Sequence, residues 1–467
     1  MTAPLGQTLR IAIAGAGMSG LAAALALARN GFTHIHVYEV ASNLGFVGAG
    51  IQVAPNLSRQ LQRLGVWEHL ADDAVEMEAA SVRAGATDEE LTNVKLAHVA
   101  ERYGQPHRVA HRAALANALY EGCKAAAPSI AFHFSTSIVE IDFAHHRIQI
   151  RQRNEEGEGH WVDADVILGA DGVKSVVRKC MLAVHGELDD AEDTGQSAYR
   201  IMLRREQLAH DPELLTMLDS HSTFRWIGAR RHIIAYPISG HTIFNISTAQ
   251  PDTNFAAEPT AAWTTRADKA AMCTLYADFC PAVRRMLGLV TESEVCEWKL
   301  RVHRPLRTWV EGHVALLGDA CHPTLPHLGQ GASQAIEDGA VLAAVLSKLT
   351  DARDIHAALR VYERLRKSRT EFLVEQAAAS GRALHLTDPA AQAARDAAFR
   401  RVNEGPTDSH TPDKTLENNA NPKNPDRWLD REVQDFVYGF DCVADAEGRW
   451  GAYFADARAG AQPTPTT

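Results

Sequence analysis

The chain has 467 residues, of which 46% are hydrophobic and 22% are charged, a balance typical of a globular protein with one large domain or two. Its formal net charge of −11 at pH 7 opposes general electrostatic binding to nucleic acids or anionic membranes, so neither is expected as a partner. No apolar run is long enough to predict a membrane span and the N-terminus lacks a signal-peptide layout, which together predict a cytoplasmic protein.

The first predicted elements form a β-α-β unit near the N-terminus. RIAIAG (10–15) predicts a short apolar strand, and MSGLAAALALARNG (18–31) predicts a helix of small residues. HIHVYE (34–39) predicts a second strand. NLSRQLQRLGVWEHL (56–70) and RAALANALYEGCKAA (112–126) then repeat apolar residues at helical spacing. The N-terminal part of the chain is therefore expected to be α/β.

A glycine motif lies between the first strand and the first helix. GAGMSG matches the pattern G-x-G-x-x-G at Gly15, Gly17 and Gly20. Such glycines permit a tight turn and close approach to a pyrophosphate, whose charge the free N–H groups of the helix N-terminus stabilise. Glu39 ends the next strand, where a carboxylate can bond both ribose hydroxyls. This context predicts dinucleotide binding and leaves NAD and FAD open.

A second turn of similar composition occurs in ILGADGVKSVVR (167–178). A predicted strand ends there at Asp171 and Gly172, and a basic helix start follows. Taken alone, this pattern is at least as consistent with an ordinary strand-to-helix turn as with a ligand site.

Between about residues 196 and 310 the chain becomes β-rich. SAYRIML, STFRWIGA, RHIIAYPIS and HTIFNIST predict an antiparallel sheet. In RHIIAYPIS, His232 and Tyr236 are four residues apart and therefore share one face of their strand. A base and a phenol on one wall are candidates for catalysis, because the pKa of histidine is well placed for deprotonating a substrate hydroxyl. A structural histidine and a packing tyrosine remain the alternative.

A third motif follows VALLGD (314–319). The predicted strand ends at Asp319, and a loop with two prolines and two histidines precedes a helix that begins near Gly331 and Ala332. Asp319 can accept hydrogen bonds from a polyol, and the helix N-terminus would stabilise the anion of a reduced flavin. The long helix AALRVYERLRKSRTEFLVEQAAA (357–379) comes next.

The last part of the chain is more polar. TDSHTPDKTLENNANPKNPDRW (407–428) predicts an exposed loop, DREVQDFVYGFDC (430–442) a short helix that packs back, and QPTPTT (462–467) a disordered tail. The seven cysteines show no CxxC or Cys/His spacing, which predicts free thiols and no metal site.

Three motifs together resemble a known family. GAGMSG (15–20), GADGVKSVVR (169–178) and GDACHPTLPHLGQGASQAIEDG (318–339) are similar, in this order, to the motifs of FAD-dependent aromatic hydroxylases of the p-hydroxybenzoate hydroxylase type. GAGIQVAPN (48–56) and VAHRAAL (109–115) resemble the salicylate, 3-hydroxybenzoate and 6-hydroxynicotinate hydroxylase branch. The resemblance implies one FAD, NADH or NADPH as a transient co-substrate, dioxygen and a small phenol-like substrate.

The element pattern and the resemblance predict an α/β protein. A discontinuous, Rossmann-like FAD-binding domain of the glutathione-reductase type is expected at 8–185 and 300–385. An inserted, mostly antiparallel β-sheet substrate domain is expected at 186–299, where it would cover the flavin, with a C-terminal extension and helical segment at 386–467. A monomer and a homodimer are both compatible with this organisation.

Several residues acquire expected roles toward FAD from the resemblance alone. Without it, Arg112 would be equally consistent with a solvated arginine at a helix cap. The implied contacts are Gly15, Gly17 and Gly20 at the pyrophosphate, Glu39 at the adenosine ribose, Gly50 beside the flavin, Arg112 from a helix start, Asp171 at FAD and the nicotinamide cofactor, Asp319 at the ribitol, and Gly331 and Ala332 at the isoalloxazine.

On the substrate side, the resemblance strengthens the assignment of His232 and Tyr236 as catalytic residues, because related hydroxybenzoate and hydroxynicotinate enzymes share the His-x-x-x-Tyr spacing. Arg200, in SAYRIML, resembles an arginine of fungal relatives and could fix a carboxylate or a phenolate. A surface arginine is the alternative there.

The proline loop supplies further expected substrate contacts. Pro326, His327 and Gln330 lie where this family approaches the flavin, and a stiff loop helps to exclude water. Gln52 stands where the 6-hydroxynicotinate enzyme has a histidine, and glutamine cannot act as an acid or base. That substrate is therefore less expected.

The sequence thus predicts an FAD- and NAD(P)H-dependent monooxygenase that hydroxylates a phenolic aromatic acid through a flavin C4a-hydroperoxide. A salicylate-like substrate is expected, with loss of CO2 if the attacked carbon bears the carboxylate. The alternative is hydroxylation without decarboxylation of a 3-hydroxybenzoate-like, hydroxypyridine or polyketide phenol. An FAD-binding redox sensor without oxygenase turnover is the alternative from another class.

Overall fold

The computed structural model describes residues 4–45, 49–155, 157–189, 191–254, 264–266, 268–291, 294–403 and 423–461. Its strands are β1 (Arg10–Ala14), β2 (His34–Tyr38), β3 (Gly50–Val53), β4 (Val75–Glu76), β5 (Ala79–Ala84), β6 (Glu90–Lys95), β7 (Arg108–His111), β8 (Ile130–His133), β9 (Thr136–Asp142), β10 (Arg147–Gln152), β11 (His160–Asp163), β12 (Val166–Gly169), β13 (Ala191–Arg204), β14 (Ser222–Gly228), β15 (Arg231–Ile238), β16 (Ile243–Pro251), β17 (Thr264–Arg266), β18 (Cys296–His303), β19 (Val310–Glu311) and β20 (Val314–Leu316).

The α-helices alternate with these strands in the N-terminal part and dominate the C-terminal part. Within the described ranges, no helix is long and apolar enough to cross a membrane. The helices are α1 (Met18–Arg29), α2 (Pro55–Arg63), α3 (Ala97–Tyr103), α4 (Arg112–Ala125), α5 (Val176–Val184), α6 (Arg205–Leu208), α7 (Pro212–Asp219), α8 (Lys269–Leu275), α9 (Pro281–Gly288), α10 (Gly331–Leu346), α11 (Ile355–Leu384), α12 (Pro389–Asn403), α13 (Arg431–Tyr438) and α14 (Cys442–Ala461).

The first large sheet has the strand order β19-β20-β12-β1-β2-β8. Strand β1 pairs in parallel with β12 on one side and β2 on the other, and β20 extends the parallel part. Its apolar residues, such as Ile11, Ile13 and Val37, are buried because helices cover the sheet. Since β20 comes from the C-terminal part, segments far apart in the chain build one α/β unit. The expected fold class is confirmed.

The second large sheet has the order β17-β18-β13-β16-β15-β14-β5-β6 and is antiparallel except where β14 pairs with β5. Strands β13 to β18 come from the part of the chain predicted to be β-rich. The sheet extends beyond the predicted segment 186–299, because β5 and β6 belong to the N-terminal part and β18 ends at His303. The parallel pairing of β5 with β14 joins distant residues, for which the local pattern has no signal. The domain boundaries stay a prediction.

A small sheet connects the two large ones. Strand β7 pairs antiparallel with β3, so that Gly50 lies opposite His111. Arg112, the first residue of α4, donates its backbone N–H to the Ala49 carbonyl at 2.8 Å. This pairing brings the segments AGIQV (49–53) and VAHR (109–112) together at the edge of the cavity described below.

The C-terminal helices pack onto the α/β unit. The predicted short helix at 430–442 is observed as α13, whereas the 20-residue helix α14 was not predicted. Both α14 and the 30-residue helix α11 pack against α10. Most of the predicted loop 407–428 and the whole predicted tail 462–467 lie outside the described residues.

Candidate active site

A cavity of about 1130 Å³ lies between the two large sheets. It exceeds the usual volume of a small-molecule pocket, so it can hold a flavin ring together with a small ligand. Of the residues predicted from the sequence, Gly15, Gly20, Glu39 and Asp171 do not line it. Those that do are Gly17, Gly50, Arg112, Arg200, His232, Tyr236, Asp319, Pro326, His327, Gln330, Gly331 and Ala332.

The turn after β1 packs tightly and leaves open space in front of α1. Gly15 has a φ of +93°, and an added Cβ would lie 2.6 Å from the Ala170 carbonyl oxygen. A Cβ on Gly20 would collide with the Gly15 carbonyl oxygen. At Gly17, the N-cap of α1, an added Cβ would meet no atom within 4 Å. The helix N-terminus is therefore accessible to phosphate groups.

Two carboxylates at strand ends are held by backbone N–H groups. Glu39 accepts hydrogen bonds from Ala16 at 2.8 Å and from Ala41 at 2.9 Å. Asp171 accepts one from the Val176 N–H at 2.7 Å at the start of α5, and burial raises its pKa. Asp171 thus stabilises an ordinary strand-to-helix turn, and its contact with a cofactor stays a prediction.

Asp319 lies in a turn that is stabilised by a buried network of hydrogen bonds centred on Asp338. Gly318, with a φ of +58°, donates its N–H to Asp338 Oδ2 at 2.9 Å. Asp338 also accepts hydrogen bonds from His322 Nε2 at 2.6 Å and from Arg366 Nε at 2.8 Å. Asp319 itself lines the cavity and is exposed there, and desolvation by the surrounding protein raises its pKa.

These features fit FAD. The open N-terminus of α1 suits a pyrophosphate, Asp319 offers an acceptor to a polyol, and the N-terminus of α10 at Gly331 faces the same cavity. Arg112 lies beside these groups. Burial lowers the pKa of the Arg112 guanidinium, and the Asp319 carboxylate opposes that shift. A Cβ on Gly50 would lie 2.5 Å from the Tyr236 ring, so glycine is needed where β3 meets the opposite wall.

The opposite wall of the cavity is formed by β15. His232, Ile234 and Tyr236 alternate toward the cavity, as the spacing predicted. His232 and Tyr236 are each 4% exposed. Burial lowers the pKa of His232 well below its ordinary value and raises the pKa of Tyr236. At neutral pH the wall therefore presents a neutral imidazole and a protonated phenol.

Arg200, on β13, also faces the cavity rather than the protein surface. Its guanidinium carbon lies 5.3 Å from the centre of the Trp298 ring. Its Nε is buried and has no hydrogen-bond partner among the described residues. Arg225, on β14, lines the cavity as well, but it forms an ion pair with the buried carboxylate of Asp426. Arg200 is thus a partly buried cation whose Nε has no described hydrogen-bond partner.

Three histidines form a cluster at one end of the cavity. His232 Nδ1 lies 2.7 Å from His385 Nε2, so one N–H···N hydrogen bond joins the rings, with the donor set by the tautomer. The His327 ring centre is 5.4 Å from that of His232 and 5.6 Å from that of His385. Burial lowers the pKa of His327 to about 3 and that of His385 to about 4. The cluster is therefore uncharged at neutral pH.

The proline loop contributes unpaired polar atoms. Both ring nitrogens of His327, and Nε2 of Gln330, are buried without a partner among the described residues. Gln330 Oε1 accepts a hydrogen bond from Asn56 at 3.1 Å. Gln52 Oε1 lies 2.6 Å from His107 Nε2 in the same wall. Pro326 is exposed and lines the cavity. The loop therefore places several buried polar atoms without described partners at the cavity wall.

Sequence reasoning missed the contribution of the C-terminal part. The predicted exposure of the loop 407–428 is wrong for its last residues, because Asn424 and Asp426 are at most 3% exposed and Trp428 lines the cavity. Asn, Asp and Pro are typical of exposed turns, and only the single tryptophan in this segment indicated burial. His385 was also missed, since a lone histidine at a helix end has no distinctive local pattern.

The fold and the cavity together define a dinucleotide-binding oxidoreductase with a β-rich cover. A family model described as an FAD binding domain matches residues 8–377, and the chain belongs to this family. FAD as the cofactor, and the class of flavin-dependent monooxygenase within the aromatic-hydroxylase family, are thereby confirmed.

Individual relatives agree with this placement. The chain is 32% identical to the FAD-dependent monooxygenase ntnJ of Nectria sp, over 85% of this chain and 89% of the relative. It is 34% identical to 3-hydroxybenzoate 6-hydroxylase 1 of Aquipseudomonas alcaligenes, over 77% of this chain and 85% of the relative. A salicylate hydroxylase substrate complex has the same fold, with a TM-score of 0.74 and 22% identity over 98% of this chain and 100% of that one.

Proposed function

We propose that the protein hydroxylates a phenolic aromatic carboxylic acid, with FAD as cofactor and NADH or NADPH and dioxygen as co-substrates. The observation that carries this proposal is the combination, in one cavity, of a partly buried arginine whose Nε has no described partner and a neutral histidine. Arg200 supplies the first and His232 the second.

The cofactor would be held by the residues on the α/β side of the cavity. Gly17 and the N-terminus of α1 would contact the pyrophosphate, Asp319 the ribitol, and Gly331 and Ala332 the flavin ring. When bound and reduced, FAD supplies the electrons that activate dioxygen for transfer to the ring. The protein's own contribution is to position the substrate, ionise its hydroxyl and exclude water.

Arg200 is suited to hold the carboxylate of the substrate. A charge-assisted hydrogen bond to a guanidinium is strong in a dry cavity, and the Trp298 ring keeps the group in place through a cation–π contact. Arg225 is less available because Asp426 already neutralises it. A ligand carboxylate would supply the partner that Arg200 Nε lacks.

His232 is suited to activate the phenolic hydroxyl. Burial lowers its pKa, which keeps the ring neutral and able to accept a hydrogen bond from the hydroxyl but also makes it a weaker base than an exposed histidine. Tyr236 keeps its proton because burial raises its pKa, and it therefore acts as a hydrogen-bond donor to the developing phenolate. His327 and Gln330 would contact further polar groups, while Pro326 keeps the loop stiff.

The position of the carboxylate relative to the attacked carbon decides whether CO2 is lost. Loss of CO2 requires that oxygen enters at the carbon that bears the carboxylate, as with salicylate. Hydroxylation without decarboxylation is the second candidate, and it is supported by the 34% identity to a 3-hydroxybenzoate 6-hydroxylase. Gln52, paired with His107, disfavours a mechanism that needs an acid or base at that position.

The test is turnover of a substrate panel by the FAD-loaded enzyme. Salicylate, 3-hydroxybenzoate and 6-hydroxynicotinate are compared with phenol and catechol, which lack the carboxylate, and NAD(P)H oxidation, product and released CO2 are measured. We expect at least one hydroxybenzoate to stimulate NAD(P)H oxidation with product formation. No stimulation by any acid, or equal stimulation by catechol, contradicts the proposal.

A further inference from the structure

The proposed base is enclosed and needs a route by which the substrate proton can leave. His232 is 4% exposed, and a cavity filled by cofactor and substrate excludes the water that would otherwise accept the proton. His232 Nδ1 is directed toward His385 Nε2, 2.7 Å away.

The two rings connect the cavity with the outside of the protein. His232 lines the cavity, whereas His385 does not. His385 directly follows α11, is partly exposed, and precedes the exposed residues Thr387 and Asp388. Its exposed part therefore faces solvent on the far side of the wall.

The contact between the two rings is compatible with the protonation pattern that a base at His232 requires. A neutral imidazole carries one N–H, so His232 can donate from Nδ1 to His385 Nε2 only if its own Nε2 is an acceptor. His385 then carries its proton on Nδ1. This is one of the two tautomer pairs that the 2.7 Å contact allows, and it is the one in which His232 can deprotonate a phenol.

The charges around His385 oppose the retention of a proton there. Arg225 from β14 and Arg395 from α12 lower its pKa in addition to burial. The uncharged ring of His327 packs against His385, and the Asp426 carboxylate forms an ion pair with Arg225. A proton that reaches His385 is therefore released rather than stored.

We infer that His385 is a positioning residue that also completes a proton path from the cavity to solvent. The substrate O–H bond breaks and its proton binds His232 Nε2, the Nδ1 proton of His232 passes to His385 Nε2, and the Nδ1 proton of His385 leaves to solvent. One proton moves out and no electrons are transferred. The inference rests on the proposed role of His232.

The experiment measures phenol ionisation rather than turnover. FAD-loaded enzyme without NAD(P)H is mixed rapidly with nitrated salicylate or nitrated 3-hydroxybenzoate, whose phenolates absorb visible light, and a pH indicator reports the released proton. The variants are His385→Gln, His232→Gln and, as the matched control, His356→Gln. His356 lies near the other end of α11, about 43 Å from His385 at 1.5 Å per residue.

We expect His385→Gln to slow phenolate formation and proton release together by about 10-fold or more, with the affinity for the probe changed less than about 2-fold. Free imidazole should restore part of the rate in His385→Ala. His356→Gln should behave as wild type. A merely structural role for His385 would change affinity or FAD content without this pattern.

Two outcomes separate the inference from the function on which it rests. If His232→Gln is slow and His385→Gln is as fast as His356→Gln, the path through His385 is overturned while the base assignment stands. If His232→Gln ionises the probe as fast as wild type, or if wild type ionises neither probe, the proposed function itself is contradicted.

Discussion

Replacing Asp426 with asparagine tests whether the ion pair between Asp426 and Arg225 stabilises the packing of the C-terminal segment against the cavity wall. Asp426 is fully buried and Arg225 is 6% exposed, so the two charges neutralise each other away from water. Asparagine keeps the shape and an oxygen for the hydrogen bond that Asp426 now accepts from Ser380 at 3.2 Å. It leaves the guanidinium of Arg225 buried without its counter-charge.

The expected loss is about 3–5 kcal/mol in the free energy of unfolding, the usual cost of removing one partner of a buried ion pair. The matched control is Asp163→Asn, which breaks the exposed pair with Arg10, where the side chains are 66% and 48% exposed. Exposed pairs contribute about 0–1 kcal/mol, so the control should be nearly neutral. Arg225→Met combined with Asp426→Leu should recover most of the loss, because no charge then remains buried.

The assay is urea unfolding of the FAD-loaded enzyme, followed by tryptophan fluorescence and circular dichroism. A loss for Asp426→Asn no larger than that for Asp163→Asn would show that the pair is solvated, and the reasoning from burial would be refuted. A double variant as unstable as Asp426→Asn would show that packing, rather than charge, is responsible.

Three other outcomes are expected. Gly15→Ala should give protein with less bound FAD, seen as lower flavin absorbance per chain, because its Cβ would lie 2.6 Å from the Ala170 oxygen at a φ of +93°. Arg200→Met should weaken binding of hydroxybenzoates by about 10- to 100-fold in direct titrations and leave FAD content unchanged; Arg353→Met, 90% exposed, is the control. The free energy of unfolding should fall as pH falls below the ordinary histidine pKa, because His327 binds a proton in the unfolded chain but not in the folded protein until about pH 3. In His327→Leu, the slope of unfolding free energy against pH in this range should be smaller by about 1.4 kcal/mol per pH unit.

The fold and the cofactor side of the site could be predicted from the sequence because both depend on local patterns. GAGMSG and VALLGD combine apolar runs with glycines at turns, and such signals survive in a single sequence. The two-residue period of β15 likewise placed His232 and Tyr236 on one face. Each of these inferences needs only neighbours along the chain.

The rest of the site depends on contacts between residues far apart in the chain. His385 meets His232 across 153 positions, and Asp426 meets Arg225 across 201. No local period encodes such pairs, and the polar composition around Asp426 indicated exposure. The β5–β14 pairing was missed for the same reason.

The central claim is that a phenolic acid binds beside the flavin with its carboxylate on Arg200. Its most direct test is a titration of FAD-loaded wild type and Arg200→Met with salicylate, 3-hydroxybenzoate and catechol, followed by the flavin absorbance spectrum. We expect a saturable change with a hydroxybenzoate in wild type, strongly weakened in Arg200→Met, and little change with catechol in either. Equal saturation of both proteins by the acid, or no spectral change with any acid, would contradict the account.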